Sequence, residues 1–380
     1  MLACGLWGLS GCAAAPDAVT AEDRVRGGTP LIAVFPVENL SGRPAPLGEV
    51  RRLLIERTRA YGLRVLDEAA LERAVARHRV RYTAGVERAF AKALEQETGA
   101  EAILIPSLEL YDEANPPRVA LFARLASTGE APTVRWLDGA GAAGHDSPGI
   151  LGVGLIEDPR ALLGRAVDSL ARSLARHVSE GGERLAGRPA ARKFQPKIVF
   201  RSDALDPVRA YSVAVIPFFN KSARKHAGEI IALHMMRTLM GFPGLGVVEP
   251  GLVREELLRF RIIMSEGVSL PETETILGAV NGDLVLNGEV LEYTDPRGLY
   301  GAPAVDFGVL FIERSTRRVV YSSYSHNAGD DRVFFFDWGR VNTAHAMASR
   351  MAWAIGERML LAPAATGAPQ TPAGQADRRR

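Results

Sequence analysis

Seven histidines, His78, His145, His177, His226, His234, His326 and His345, are the side chains with the widest chemical reach in this chain. No pair has the HExxH spacing that puts two imidazoles and a glutamate on one helix face for zinc chemistry. Neither a GxxxxGK[ST] phosphate cradle nor a GxSxG nucleophile turn occurs. Gly139-Ala140-Gly141-Ala142-Ala143-Gly144 spells a dinucleotide fingerprint. That fingerprint needs a helix opening at its third glycine, so that the helix N-terminus meets the pyrophosphate. Here His145-Asp146-Ser147-Pro148-Gly149 continues as loop, so no nucleotide site is assigned. His326, Asp330 and Asp331 lie close enough in sequence for a cation, but carboxylates in a glycine-containing turn more often cap or stay solvated. Asn39 and Asn220 read as side chains that bond their own turns. The sequence thus assigns no catalytic residue, no cofactor and no metal ligand.

The only two cysteines, Cys4 and Cys12, stand at the amino terminus. No internal disulfide or cysteine-based metal site is therefore available, which fits an oxidising compartment. Met1 to Cys12, MLACGLWGLSGC, is apolar and ends Leu9-Ser10-Gly11-Cys12. It resembles the bacterial lipoprotein signal, in which small residues precede a cysteine that becomes lipidated. Cys12 is the expected lipidation site; Cys4 fits less well. The segment is short and lacks preceding positive charges, so the true start is expected upstream. Ala13 follows, not the aspartate of inner-membrane retention, which implies the periplasmic side of the outer membrane. Residues 13–28, with Pro16 and Gly27-Gly28, read as a flexible tether.

The elements that would position any site come in two copies. Leu31-Ile32-Ala33-Val34-Phe35 is an apolar, branched run expected to form a strand buried on both faces. Pro36 removes a donor and ends the ladder, and Glu38 to Gly42 forms a polar turn. SVAVIPFFNKS, Ser212 to Ser222, repeats the pattern about 181 positions later, so that Pro36, Asn39 and Ser41 correspond to Pro217, Asn220 and Ser222. The register persists through Gly62–Leu66 and Gly244–Val248, Ala100–Leu104 and Gly282–Leu286, and His145-Asp146 and Asp330-Asp331. A period long enough to hold a whole domain means duplication.

In the first copy, periodicity predicts helices over 47–61, 67–79, 84–98 and 158–183, and strands over 31–35, 63–66, 102–111, 119–126 and 133–137. A Gly-rich loop follows the last strand. The second copy predicts helices over 227–240, 251–261, 272–280 and 339–361, and strands over 284–293, 304–314 and 318–326. The order β-α-β-α-α-β-β-β-α implies an α/β fold: two tandem copies of a mixed-sheet domain covered by helices. The first two strands are expected parallel and the last three an antiparallel meander. The domains are expected at 29–186 and 208–361, joined by a basic linker over 187–207 that contains Pro189, Pro196 and Pro207. Phe334-Phe335-Phe336-Asp337-Trp338 offers a partner-binding patch or, preferred here, core that pins the last helix. Residues 362–380, rich in Pro, Ala, Gly and Gln, are expected to be disordered.

At 380 residues the chain is long enough for two cores, and a net charge of +2 gives no field that argues for nucleic acid. No stretch beyond the amino terminus approaches a membrane-spanning helix. With a lipoprotein-like cysteine, IAVFPVENLSG and GLRVLD, the chain resembles the TolB amino-terminal domain and the related curli-secretion and penicillin-binding-protein-activator lipoproteins. Their pattern is an apolar strand ending near Pro-Phe-x-Asn-x-Ser. Ile216-Pro217-Phe218-Phe219-Asn220-Lys221-Ser222 fits it best, and Phe35-Pro36-Val37-Glu38-Asn39-Leu40-Ser41 departs at the aromatic. The resemblance implies an α/β fold and a non-enzymatic adaptor anchored by lipid to the outer membrane on its periplasmic side. The partner would be an envelope complex for cell-wall synthesis, surface-appendage assembly or secretion, with room for a homo-oligomer. The rival reading is an enzyme or small-ligand binder that uses the Gly139–Asp146 loop and its counterpart Asn327–Asp331.

Overall fold

A computed structural model of the chain describes residues 28–146, 155–180, 194–261, 270–296, 301–331, 333 and 339–360. Cys12, the tether up to residue 27, residues 187–193 of the linker, Phe334, Phe335, Phe336 and Trp338, and the tail over 362–380 lie outside the described residues.

The fold is two mixed sheets with helices, one sheet from each half of the sequence. In the first, β1 (Leu31–Val34) runs parallel to β3 (Arg64–Val65) and β4 (Ala102–Asp112). Phe35 still donates its N–H to Leu104, and Pro36, with no N–H, interrupts the ladder. Pairing then resumes as β2 (Glu38–Asn39) on β4, inside the stretch that the sequence predicts as turn. β4, β5 (Arg118–Ser127) and β6 (Val134–Ala143) form the antiparallel meander.

The helices are α1 (Leu47–Ala60), α2 (Glu68–Arg77), α3 (Arg88–Thr98) and α4 (Pro159–Ser179). Asp67 caps α2 by accepting from Ala70 N–H, and Gly99 closes α3 at φ +70°. On one face of the sheet, α1 and α4 bury Val34, Leu104, Leu121 and Trp136. On the other, α2 and α3 bury Phe35, Ile103 and Ile105.

The second half contributes β7 (Ile198–Arg201), β8 (Tyr211–Val215), β9 (Phe219–Asn220), β10 (Leu245–Val247), β11 (Leu284–Thr294), β12 (Ala304–Glu313) and β13 (Arg318–Ala328). Its helices are α5 (Ala227–Gly241), α6 (Pro250–Arg259), α7 (Leu270–Ala279) and α8 (Ala344–Leu360). The registers of the halves coincide. Ile32 faces Val65 and Ala102, as Val213 faces Val247 and Leu284. Each long first meander strand carries a bulge, between Leu108 and Leu110 in β4 and between Val290 and Glu292 in β11.

Five expectations are corrected. Gly139 to Ala143 is not loop but the end of β6, and Asn327-Ala328 extends β13. Residues 198–201, inside the stretch read as linker, form β7 on the edge of the second sheet beside β13. Helix α3 begins at Arg88, not near Ala84, because the Ala84–Val86 backbone is bonded to the buried Arg124–Glu249 pair, one member from each half. Val86 N–H donates to Glu249 and the Ala84 carbonyl accepts from Arg124. Helix α8 begins at Ala344, where Asp295 accepts from its first N–H.

The halves do not merely follow one another. Helices α5 and α8 cover the second sheet, and the same core takes in Leu40, Phe122 and Leu137 from the first half. α5 is accordingly buried around most of its circumference, whereas α1 buries a single stripe.

Candidate functional site

The polar residues that converge do so inside this seam. The β4 bulge inserts Glu109 between two paired residues and turns its carboxylate into the seam, where it is wholly buried. Tyr293, from β11, donates its hydroxyl to Glu109 Oε1 at 2.5 Å. His345, at the start of α8, places Nδ1 2.5 Å from Glu109 Oε2. His234, on α5, brings Nε2 to 3.9 Å from the same oxygen. The Phe122 ring lies against both imidazoles, with centroids 4.8 Å from His234 and 5.1 Å from His345, and the imidazoles themselves are 4.8 Å apart. Glycine is required on the facing strand. A Cβ at Gly139 would stand 2.7 Å from Phe122, and one at Gly141 would stand 2.5 Å from the His345 ring.

Burial sets the electrostatics. It drives His234 well below its ordinary value, with the neighbouring His345 and Arg237 adding to the effect, so this imidazole is neutral. Burial likewise pushes Tyr293 up, reinforced by the Glu109 charge, and keeps its hydroxyl a donor. Asp295 is pushed to about 6, first by burial and then by Glu109, against the lowering effect of the α8 N–H that it accepts.

Two ion pairs flank the cluster across the seam. Arg124 and Glu249 are both buried and meet through Nε to Oε2 and Nη2 to Oε1, each at 3.2 Å. Glu249 also accepts from Val86 and Gly251 N–H at the start of α6. Space is tight there: a Cβ on Gly85 would lie 2.7 Å from the Gly251 nitrogen. Arg237 donates to Asp138 at 2.7 Å, and Asp138 accepts in turn from Ser173.

The residues singled out from sequence fall around this seam. Asn39 Oδ1 accepts from the N–H and the hydroxyl of Ser41, and its amide donates to the Arg43 carbonyl. Asn220, Ser222 and Arg224 repeat these bonds one for one. Pro36 and Pro217 precede these turns as chain breaks in their ladders. The fold brings the two turns together, because Arg224 donates to the Ser41 carbonyl and, at 2.5 Å, to the Glu109 carbonyl. Among the described residues of the rival ligand loops, Asp146 accepts from Ala143 N–H and from the Asn342 amide of the second half, Asp331 accepts from Ala328 N–H, and Asn327 is buried.

Sequence reasoning passed over Glu109, Arg124 and Glu249, and counted His234 and His345 only among seven scattered histidines. The available signals were charged residues within apolar strands and a histidine in an otherwise apolar helix.

No protein-family model and no curated protein matches the chain. Among solved structures it is similar to the PelC dodecamer from Paraburkholderia phytofirmans, at 19% identity over 42% of this chain and 95% of that one, with a TM-score of 0.28. It is also similar to lipoprotein GNA1162 from Neisseria meningitidis, at 22% identity over 38% of this chain and 97% of that one, with a TM-score of 0.27. The LpoB C-terminal domain from Salmonella enterica matches at 16% identity over 33% of this chain and 87% of that one, with a TM-score of 0.25. Each of these matches spans less than half of this chain.

Proposed function

We propose that this chain is a non-enzymatic accessory lipoprotein, anchored through Cys12 to the periplasmic side of the outer membrane, that docks an envelope assembly machine. The machine serves cell-wall synthesis, surface-appendage assembly or secretion. One structural observation carries the reading: β7 lies on the edge of the seven-stranded sheet and exposes Ile198, Val199 and Phe200 at 67%, 42% and 50%. An edge strand presents unpaired backbone donors and acceptors, and apolar side chains on it favour addition of another strand. Its occupant is an extended segment of a partner protein, held by backbone bonds and by the apolar pair of faces. The convergent polar side chains, by contrast, are sealed in the seam, with Glu109 at 0%, His234 at 1% and His345 at 5% exposure, which leaves them no contact with a diffusing substrate. The lipoprotein-like segment ending at Cys12 and the strand–turn resemblance support the same reading.

The test is envelope crosslinking followed by pull-down of the lipidated protein. Recovery of a defined envelope protein by the natural chain, and its loss on Phe200→Glu, is expected. Cys12→Ala should move the chain to the soluble periplasmic fraction. Unchanged fractionation of Cys12→Ala would defeat the anchor, and an unchanged pull-down with Phe200→Glu would defeat the docking strand.

A further inference from the structure

His234 is the seam residue whose chemistry is least satisfied. Its side chain is 1% exposed, and neither ring nitrogen has a hydrogen-bond partner. Buried polar atoms are nearly always paired, and an orphan costs on the scale of a lost hydrogen bond, so two on one ring call for a missing partner. One donor atom from each of Glu109, His234 and His345 lies within 4.8 Å of the others. We propose that these three side chains bind one divalent transition-metal ion, zinc foremost, which ties the first half of the chain to the second.

Two imidazoles and a carboxylate form a nitrogen and oxygen donor set that zinc uses, with bonds of about 2.0–2.2 Å. On a tetrahedral ion such donors stand about 3.3–3.5 Å apart. The observed spacings fall on either side of this: 2.5 Å from His345 Nδ1 to Glu109 Oε2, and 3.9 Å from His234 Nε2 to the same oxygen. Small side-chain rotations that part the first pair and close the second make room for the ion. Tyr293 holds the second Glu109 oxygen and so orients the carboxylate from the outer shell. The ion also offsets the cost of a fully buried carboxylate. Because the donors come from both halves and are sealed, the ion enters as the halves close on each other. This inference is independent of the docking strand.

The test uses the full chain with Cys4→Ser and Cys12→Ser, since free thiols compete for zinc, refolded from guanidinium in Zn²⁺ or Co²⁺ and desalted. About one zinc per chain by elemental analysis is expected. A tetrahedral visible spectrum with Co²⁺ and a Tm several degrees above that of chelator-treated protein are expected as well. His234→Phe, which keeps the ring packing on Phe122, should abolish uptake and the Tm difference. His78→Ala, which removes a half-exposed histidine paired with Glu97, should leave both intact. Retention of the metal by His234→Phe would overturn the site. If that variant does not fold, the unsubstituted ring decides: desalted protein without stoichiometric metal overturns the proposal, and stoichiometric metal with the Co²⁺ spectrum supports it.

Discussion

Arg124 and Glu249 show how the seam handles charge at the scale of single residues. Each is buried, and each has backbone partners besides the other. Removing one member leaves an uncompensated buried charge, so Arg124→Met is expected to cost about 3–5 kcal/mol. Arg124→Met combined with Glu249→Gln should recover most of that loss, because the amide oxygen can still accept from Val86 and Gly251. Urea unfolding of the natural chain, Arg124→Met, Glu249→Gln and the double variant checks this, and an Arg124→Met cost under about 1 kcal/mol would show that the pair is not desolvated as described.

Asp295 gives a pH-dependent counterpart. Its folded value is raised from 3.8 to about 6, so the native state binds the proton more tightly than the unfolded chain. The resulting stabilisation is complete below 3.8 and is lost as pH rises through 6, amounting to roughly 3 kcal/mol. Asp295→Asn keeps an oxygen for the Ala344 N–H but removes the titration. Measured in chelator, its stability relative to the natural chain should therefore rise between about pH 4 and pH 7. A constant difference across that range would contradict the assignment.

At the scale of elements, the sequence shows the strands and helices of the repeat clearly, because each carries its period and its punctuation. It misleads where tertiary contact overrides local preference. Gly139 and Gly141 read as loop since glycine is depleted from strands, yet β6 continues through them because Phe122 and His345 occupy the space of any side chain. Gly141→Ala is expected to cost about 1–3 kcal/mol through overpacking against His345. Gly164→Ala, on α4 where an added Cβ meets nothing within 4 Å, should stabilise by about 0.5–1 kcal/mol. Thermal unfolding of both variants separates the two effects, and a neutral Gly141→Ala would mean that the seam is looser than its geometry. The candidate cluster was illegible for another reason: Glu109, His234 and His345 sit on separate elements of different halves, and only the packing of one half on the other brings them together. The readable clue was α5, apolar nearly all round where α1 has one apolar stripe. A helix of that kind must be covered on two sides.

At the scale of the molecule, duplication has produced an asymmetric pair. The sheet of the first half receives the helices of the second, so β5 is buried along almost its whole length, whereas the matching β12 alternates between buried and half-buried positions. The bulges make the same point: Glu109 is enclosed in one half, and Leu291, at the equivalent position, is 37% exposed in the other. A head-to-tail contact of this type would propagate if both ends kept complementary faces. The outer face of α1 instead carries exposed Arg52, Glu56 and Arg59, where the equivalent helix α5 is buried nearly all round. With one core shared across the seam, the chain is expected to unfold in a single calorimetric transition whose van't Hoff and calorimetric enthalpies agree. Two resolved transitions would mean that the halves are independent.

The central claim, that a folded two-part body presents β7 to a partner while its polar cluster stays shut inside, is tested most directly by site-specific photocrosslinking in the intact envelope. A photoreactive residue at position 200 on β7, compared with one at the exposed Leu258 on α6, should give a discrete protein adduct from position 200 alone, and Val199→Pro should abolish it. No adduct at position 200, or the same adducts from both positions, would contradict docking through this strand.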